Sequence, residues 1–258
     1  LESSKTNTIS QQALGLLQVS PSDLVAEAIS QAVDKAIVEK NTRRERRRYL
    51  GASSIGEECS RKIQYRYLNY PTDEGSGFSA RTLRIFEFGH HIEDYAAMWL
   101  RDAEFDLRTQ DKMGKQFGFS IAGDEIKGHI DGVICGGNVN MGYPCLWENK
   151  SANDQKWKTF QRMGVAKANP VYATQIALYQ AYMELTEHPA LFTVVNKNNS
   201  EIYYELVPFN RELAQAASDK AVNILTAAKA GDILPRIAQT RDFYLCKFCE
   251  FRETCWNN

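Results

Sequence analysis

The sequence predicts an α/β fold, a mixed central sheet flanked by helices, from three observations. Apolar residues recur at helical spacing before residue 101, and again over 171–186 and 210–230. Between these regions lie short strand-like runs, 104–109, 115–122, 126–135 and 144–151, punctuated by glycine and asparagine. Two more runs, 191–196 and 202–207, flank Asn196-Lys197-Asn198-Asn199-Ser200 and read as a hairpin. With 258 residues, 43% of them hydrophobic, the chain can bury one substantial core. The division expected is a polar N-terminal segment and amphipathic helix over 1–49, followed by one main domain over 50–258.

Residues 1–19 are polar and without pattern, and Ser20-Pro21 then supplies an N-cap and a first-turn proline. In the helix that follows, Val25, Ile29, Val33 and Ile37 recur every four residues as an apolar stripe. It runs into Arg43-Arg44-Glu45-Arg46-Arg47-Arg48, a tract that suits a grip on phosphates and equally a solvated helix end. Ala52 to Arg61 reads as a serine-capped helix start with Ile63, Tyr67 and Leu68 facing inward, which puts Cys59 near a helix N-terminus. After a Gly-, Ser- and Thr-rich loop at 71–79 comes a helix of about 20 residues, with Leu83, Phe86, His90, Tyr95, Met98 and Leu100 as candidate buried positions.

Composition narrows the function classes. Thirty-one basic and 32 acidic residues leave a net charge of −1, so any nucleic-acid contact must rest on local patches and bound cations. No run approaches the roughly 18 apolar residues of a membrane span, and a soluble cytoplasmic protein with no membrane partner is expected. The G-x-x-x-x-G-K-[ST] phosphate loop of an ATP-driven motor is absent, so any helicase or recombination motor would be a separate partner. Six cysteines, three of them within the last 13 residues, point to metal binding or catalysis before disulfides.

The chemistry-bearing segment is Gly128-His129-Ile130-Asp131-Gly132-Val133-Ile134, followed across a glycine-rich turn by Leu146-Trp147-Glu148-Asn149-Lys150. On two paired strands, an acid from each can face one side and share a divalent cation. Residues two apart in a strand share a face, so Glu148 and Lys150 project together while Asn149 points away and offers its backbone carbonyl. Phosphodiester hydrolysis needs hard oxygen ligands for Mg²⁺ or Mn²⁺, which polarise phosphate and acidify an attacking water. Asp131 and Glu148 fit as those ligands, with Lys150 positioning the water or offsetting charge on the phosphate. Acid-x-lysine triplets also occur on solvated strand edges, so their company matters. Upstream stands Gly89-x-x-x-Glu93 and downstream Gln175-Ile176-Ala177-Leu178-Tyr179, each at helical spacing.

In this order the motifs G-x-x-x-(H/E), G-x-x-D, E-x-K and Q-x-x-x-Y resemble the RecB-like branch of the PD-(D/E)XK nucleases, over about residues 50–256. The resemblance implies a restriction-endonuclease-like core and metal-dependent DNA hydrolysis, with exonuclease action on single strands or duplex ends favoured, in DNA processing, repair or recombination. It implies that Glu93 replaces the histidine many relatives carry, so that Glu93, Asp131, Glu148 and the Asn149 carbonyl hold the metal. His90 or His91 would take that role on a different helix register. Gln175 and Tyr179 become active-site supports, their other reading being the inner face of an amphipathic helix. Lys156, Trp157 and Lys158 suit stacking on a base or anchoring a loop.

Cys246-x2-Cys249-x5-Cys255, with Cys59 far upstream, offers four thiolates for a zinc ion or a [4Fe–4S] cluster. The serine-rich lead-in to Cys59, the Arg61 after it and the terminal spacing are similar to the nuclease modules of AddB, of CRISPR-associated iron–sulfur exonucleases and of the eukaryotic replication nuclease-helicase. That resemblance implies a structural [4Fe–4S] cluster joining Cys59 to residues 235–258. Cys135 and Cys145, on core strands, read as small buried hydrophobes. Two alternatives stand beside the nuclease reading: a phage-type recombination exonuclease on duplex ends, which needs no cysteines, and a catalytically silent DNA-binding or adaptor module, against which the intact Asp131, Glu148 and Lys150 argue.

Overall fold

The computed structural model describes residues 21–44 and 47–257; Ser20, the expected N-cap, and Glu45 and Arg46 of the arginine tract lie outside the described residues. The first helix, α1 (Pro21–Thr42), starts at the expected proline. Its apolar stripe does not enter a core, because Val25, Ile29 and Val33 are exposed and Ile37 is half-buried. The reason is geometric: residues four apart drift by about 40° around a helix, so a strict four-residue repeat winds away from any straight neighbour. Asp34 with Arg84, and Lys40 with Glu87 at 3.6 Å, tie α1 to α4 (Ala80–Asp102).

After β1 (Leu50–Gly51) come α2 (Ala52–Ile55) and α3 (Ser60–Tyr67). Neither helix is capped by a serine side chain: the N-cap positions are Gly51 and Cys59, and Ser54 lies inside α2 with its hydroxyl donating to the Gly51 carbonyl at 2.9 Å. Cys59 does begin α3, as expected. The inner face of α3 is Ile63, Gln64 and Tyr65, while Leu68 is exposed. In α4, Leu100 is buried as expected, but Phe86, His90, Tyr95 and Met98 are exposed. The buried side of α4 is Ala96, Ala97 and Leu100, where small residues let the helix lie close on the sheet and turn the large ones outward.

The strands are β2 (Leu107–Arg108), β3 (Gly118–Ile121), β4 (Ile126–His129), β5 (Gly132–Ile134), β6 (Cys145–Ala152), β7 (Ala190–Asn196) and β8 (Ile202–Val207). Five form a mixed sheet in the order β2-β5-β6-β7-β8, parallel only between β6 and β7, and the expected β7–β8 hairpin is present. A second sheet, β1-β4-β3, was not expected from the sequence. The continuous run 126–135 breaks at Ile130-Asp131 because β4 and β5 belong to different sheets. Helices α5 (Asp154–Ala168) and α6 (Pro170–Tyr182) connect β6 to β7, and α7 (Arg211–Ala230), α8 (Tyr244–Lys247) and α9 (Arg252–Asn257) follow β8.

Strand alternation divides the core. Leu146, Phe192 and Val194 meet Trp157, Phe160 and Ile176 on the α5–α6 side, while Cys145, Trp147, Leu191 and Val195 meet Ala96, Ala97 and Leu100 on the α4 side. The odd and even positions of β6 therefore have different surroundings, and this parity builds the site. No helix of the described residues is long and apolar enough to cross a membrane.

Candidate active site and thiol cavity

Asp131 sits in the break between the two sheets, where neither ladder constrains it, and its Oδ2 accepts the backbone N–H of Asn149 at 2.7 Å. One residue back along β6, Glu148 is fully buried on the α6 side. Its Oε1 accepts Gln175 Nε2 at 2.7 Å and the ammonium of Lys150, its neighbour two residues on along the same face. Asn149 points the other way, its Oδ1 accepting Thr193 Oγ1 at 2.7 Å, and that hydroxyl in turn accepts Trp147 Nε1 at 3.1 Å. Glu148 and Lys150 thus share one face and Asn149 the other, as strand geometry requires.

Glu93 approaches from α4 and lines, with Asp131, Thr109, Gln116 and Trp147, a cleft of about 330 Å³. Burial pushes the Glu93 carboxyl up to about 7, with the Asp131 charge adding to the rise. Glu148 is likewise lifted to about 8, first by burial and then by the charges of Asp131 and Glu93, against the pull of Lys150. Asp131 is raised by burial against the opposing pull of Lys150, the Asn149 N–H and His90. Lys150 stays firmly protonated, because Glu148 and Asp131 outweigh its burial. Three acids that resist ionisation around one lysine form a site that favours added positive charge.

Glu148 Oε2 is buried without a hydrogen-bond partner, an arrangement that is costly unless something binds it. Among the described residues, however, no three His, Cys, Asp or Glu side chains are arranged to hold a single metal ion. The acids interact, while one oxygen of Glu148 is taken by Lys150 and Gln175. His91 lies 4.0 Å from Asp94 and is exposed, and His90 faces Asp131 closely enough to act on its charge.

Gln175 and Tyr179 are both buried on α6 beneath this site. Gln175 bonds to Tyr179, and burial holds the Tyr179 hydroxyl well above its ordinary range. A Cβ on Gly128 would stand 2.8 Å from the Tyr179 ring and 2.5 Å from Phe119, so only glycine lets β4 pass this close. Tyr172, which sequence reasoning missed, lies under Lys150 with the ammonium 5.3 Å from the ring centroid. Its signal was available: 172, 175 and 179 fall on one helix face. Trp157 is a core residue, its Nε1 donating to the Val194 carbonyl at 3.0 Å, so it anchors α5 and offers no face to a base. Lys156 bonds the Ala168 carbonyl at 2.6 Å and Lys158 pairs with Asp154 at 2.8 Å, so both serve the same helix.

Cys59, Cys246, Cys249 and Cys255 all line one cavity of about 160 Å³, although the first is nearly 190 residues from the others in sequence. Arg61, Lys62, Arg236 and Arg252 line it as well, with Arg61 Nη1 3.4 Å from the Cys255 sulfur. The polypeptide already fastens the two segments. Arg66 holds Glu57 and Glu250 together, and Asp73 accepts the N–H groups of Glu253 at 2.6 Å and Thr254 at 3.0 Å. Cys145 is buried as expected, its thiol pushed up to about 11 by burial, whereas Cys135 is only half-buried.

No family model matches the chain, and no curated protein matches it. Among solved structures it is similar to the alkaline exonuclease LHK-Exo of Laribacter hongkongensis, with a TM-score of 0.50 and 12% identity over 72% of this chain and 90% of that one. LHK-Exo in complex with dAMP aligns at 0.49 with 14% identity over the same shares, and the SSO0001 protein at 0.45 with 14% identity over 88% of this chain and 96% of its own. The first likeness shows that the mixed sheet with its flanking helices is a fold shared with an alkaline exonuclease.

Proposed function

We propose that the protein is a metal-dependent deoxyribonuclease that removes nucleotides from DNA ends. The observation that carries this is the meeting of Glu93 from α4, Asp131 from the break between the two sheets, and Glu148 and Lys150 from β6, three separate parts of the chain. The fold shared with an alkaline exonuclease supports it. Glu93, Asp131, Glu148 and the Asn149 carbonyl would hold Mg²⁺ or Mn²⁺, and the partnerless Glu148 Oε2 fits that role. A bound divalent cation would polarise the scissile phosphate and acidify a water beside it. Lys150, kept protonated between Glu148 and Asp131, holds that water and neutralises charge on the phosphate. Gln175 fixes the Glu148 carboxylate, and Tyr172 and Tyr179 exclude bulk water beneath it.

The thiol cavity is assigned a structural [4Fe–4S] cluster. Four sulfurs line one space of about 160 Å³, and the C-x2-C-x5-C spacing with Cys59 far upstream, which resembles iron–sulfur nuclease modules, favours a cluster over zinc. The surrounding arginines and lysine suit its negative charge. Protein purified without air should carry iron and sulfide and absorb broadly near ~400 nm, whereas colourless protein with stoichiometric zinc would overturn the assignment. The end requirement is tested with Mg²⁺ or Mn²⁺ on end-labelled linear DNA beside a closed circle. Progressive shortening of the linear DNA with the circle intact is expected; nicking of the circle at the same rate would show endonuclease action instead.

A further inference from the structure

Helices α1 and α4 face one another across a groove of about 580 Å³ that the proposed chemistry does not use. On one wall stand Lys40, 3.6 Å from Glu87 of the other wall, and, in the turn after α1, Arg44, four residues on; the other wall carries Phe86, His90 and Asp94 at successive helical turns, joined by Phe78 from the preceding loop. Phe78 and Phe86 meet edge to face with centroids 5.2 Å apart, yet remain 54% and 47% exposed. Exposed rings gathered in one groove rimmed by polar residues, unlike singly scattered ones, are a mark of a binding surface. The groove leads into the acidic site: Asp94 also lines the cleft of Glu93 and Asp131, and His90 acts on the Asp131 carboxylate.

Cations on one wall and open ring faces on the other are the two elements that recognise unpaired nucleic acid, phosphates against Lys and Arg, bases stacked on rings. Paired bases show side chains their edges, not their faces. Lys40 is already paired with Glu87, but a purely apolar protein segment would leave Arg44 and Arg47 of the groove lining unmatched. We infer that the α1–α4 groove binds a single strand of DNA and presents it to Asp131, with Phe78 and Phe86 as base platforms and Arg44 as a phosphate contact. The inference rests on the nuclease reading for what happens to the strand, and gives α1 a function that its exposed stripe leaves unexplained.

The test is fluorescence anisotropy on the full chain in a Lys150→Ala background with Mg²⁺, using a labelled oligothymidylate of about 15 nucleotides and a duplex of equal length. The strand should bind more tightly than the duplex. Phe78→Ala with Phe86→Ala should weaken strand binding by about tenfold or more without changing its salt dependence. Arg44→Ala should flatten the plot of log affinity against log salt by about 0.7. All of these positions are exposed, so melting curves should match the parent. Parental affinity in both variants, or equal affinity for strand and duplex, overturns the groove. The two readings fail separately: a wild-type chain that cuts while both groove variants bind normally loses only the groove, and one that never cuts while the variants lose strand binding loses only the nuclease.

Discussion

Gln175 Nε2 donates to Glu148 Oε1 at 2.7 Å, joining the middle of α6 to the middle of β6 inside the protein. Lys150 binds the same oxygen, and Oε2 is buried without a hydrogen-bond partner. Gln175→Leu frees the carboxylate to rotate. Turnover should fall by about 10- to 100-fold, as for other residues that orient a ligand, while stability drops by only about 1 kcal/mol because Lys150 remains on Glu148. Steady-state kinetics and urea unfolding separate the two; equal losses in both would make Gln175 a packing residue only.

Raised carboxyls tie metal affinity to pH. Glu93 and Glu148 stand at about 7 and about 8, against 4.5 for an ordinary glutamate. Below about 4.5 both folded and unfolded chains are protonated; above it the unfolded chain releases protons that the folded one keeps, so metal-free stability declines as pH rises toward about 8. Mg²⁺ binds the deprotonated acids and should raise the melting temperature more at pH 8.5 than at pH 6. Thermal unfolding with chelator and with Mg²⁺ at both values checks this, and an equal shift at the two would count against the acids as ligands.

Gly128→Val places a side chain against Phe119 and Tyr179, both packed. About 1–3 kcal/mol of stability should be lost from overpacking, together with activity, as Tyr179 is pushed toward Glu148. A variant with native melting behaviour and full activity would show that β4 can yield.

Asp73 caps α9 from a distance through the N–H groups of Glu253 and Thr254. Asp73→Ala should cost about 1 kcal/mol locally. Hydrogen exchange at 250–257 should then quicken by about fivefold while the core sheet is unchanged. Unaltered exchange would mean that other contacts alone hold the C-terminal segment.

The residues legible from sequence were those whose role follows from local periodicity. Glu148 and Lys150 are two apart in a strand, Gln175 and Tyr179 four apart in a helix, and those spacings fix shared faces wherever the element lies. The outward Phe86 and Tyr95 of α4 were misread because periodicity identifies a helix face without saying whether anything covers it, and the apolar stripe of α1 shows the same limit. The small β1-β4-β3 sheet and the split at Asp131 depend on pairing Leu50 with Ile126, a contact between distant segments that no local pattern encodes. Trp157 looked available because α5 was not foreseen; Asn153 at its N-cap, accepting the Lys156 N–H at 2.8 Å, was the signal.

The central claim is that the carboxylate cluster with Lys150 cuts DNA, and single-turnover cleavage of an end-labelled single strand by wild type and Lys150→Ala tests it most directly. With Mg²⁺ the wild type should shorten the strand and the variant should be slower by at least about 100-fold, with strand affinity retained. Equal rates in the two proteins, or cleavage by wild type that persists in chelator, would contradict the account.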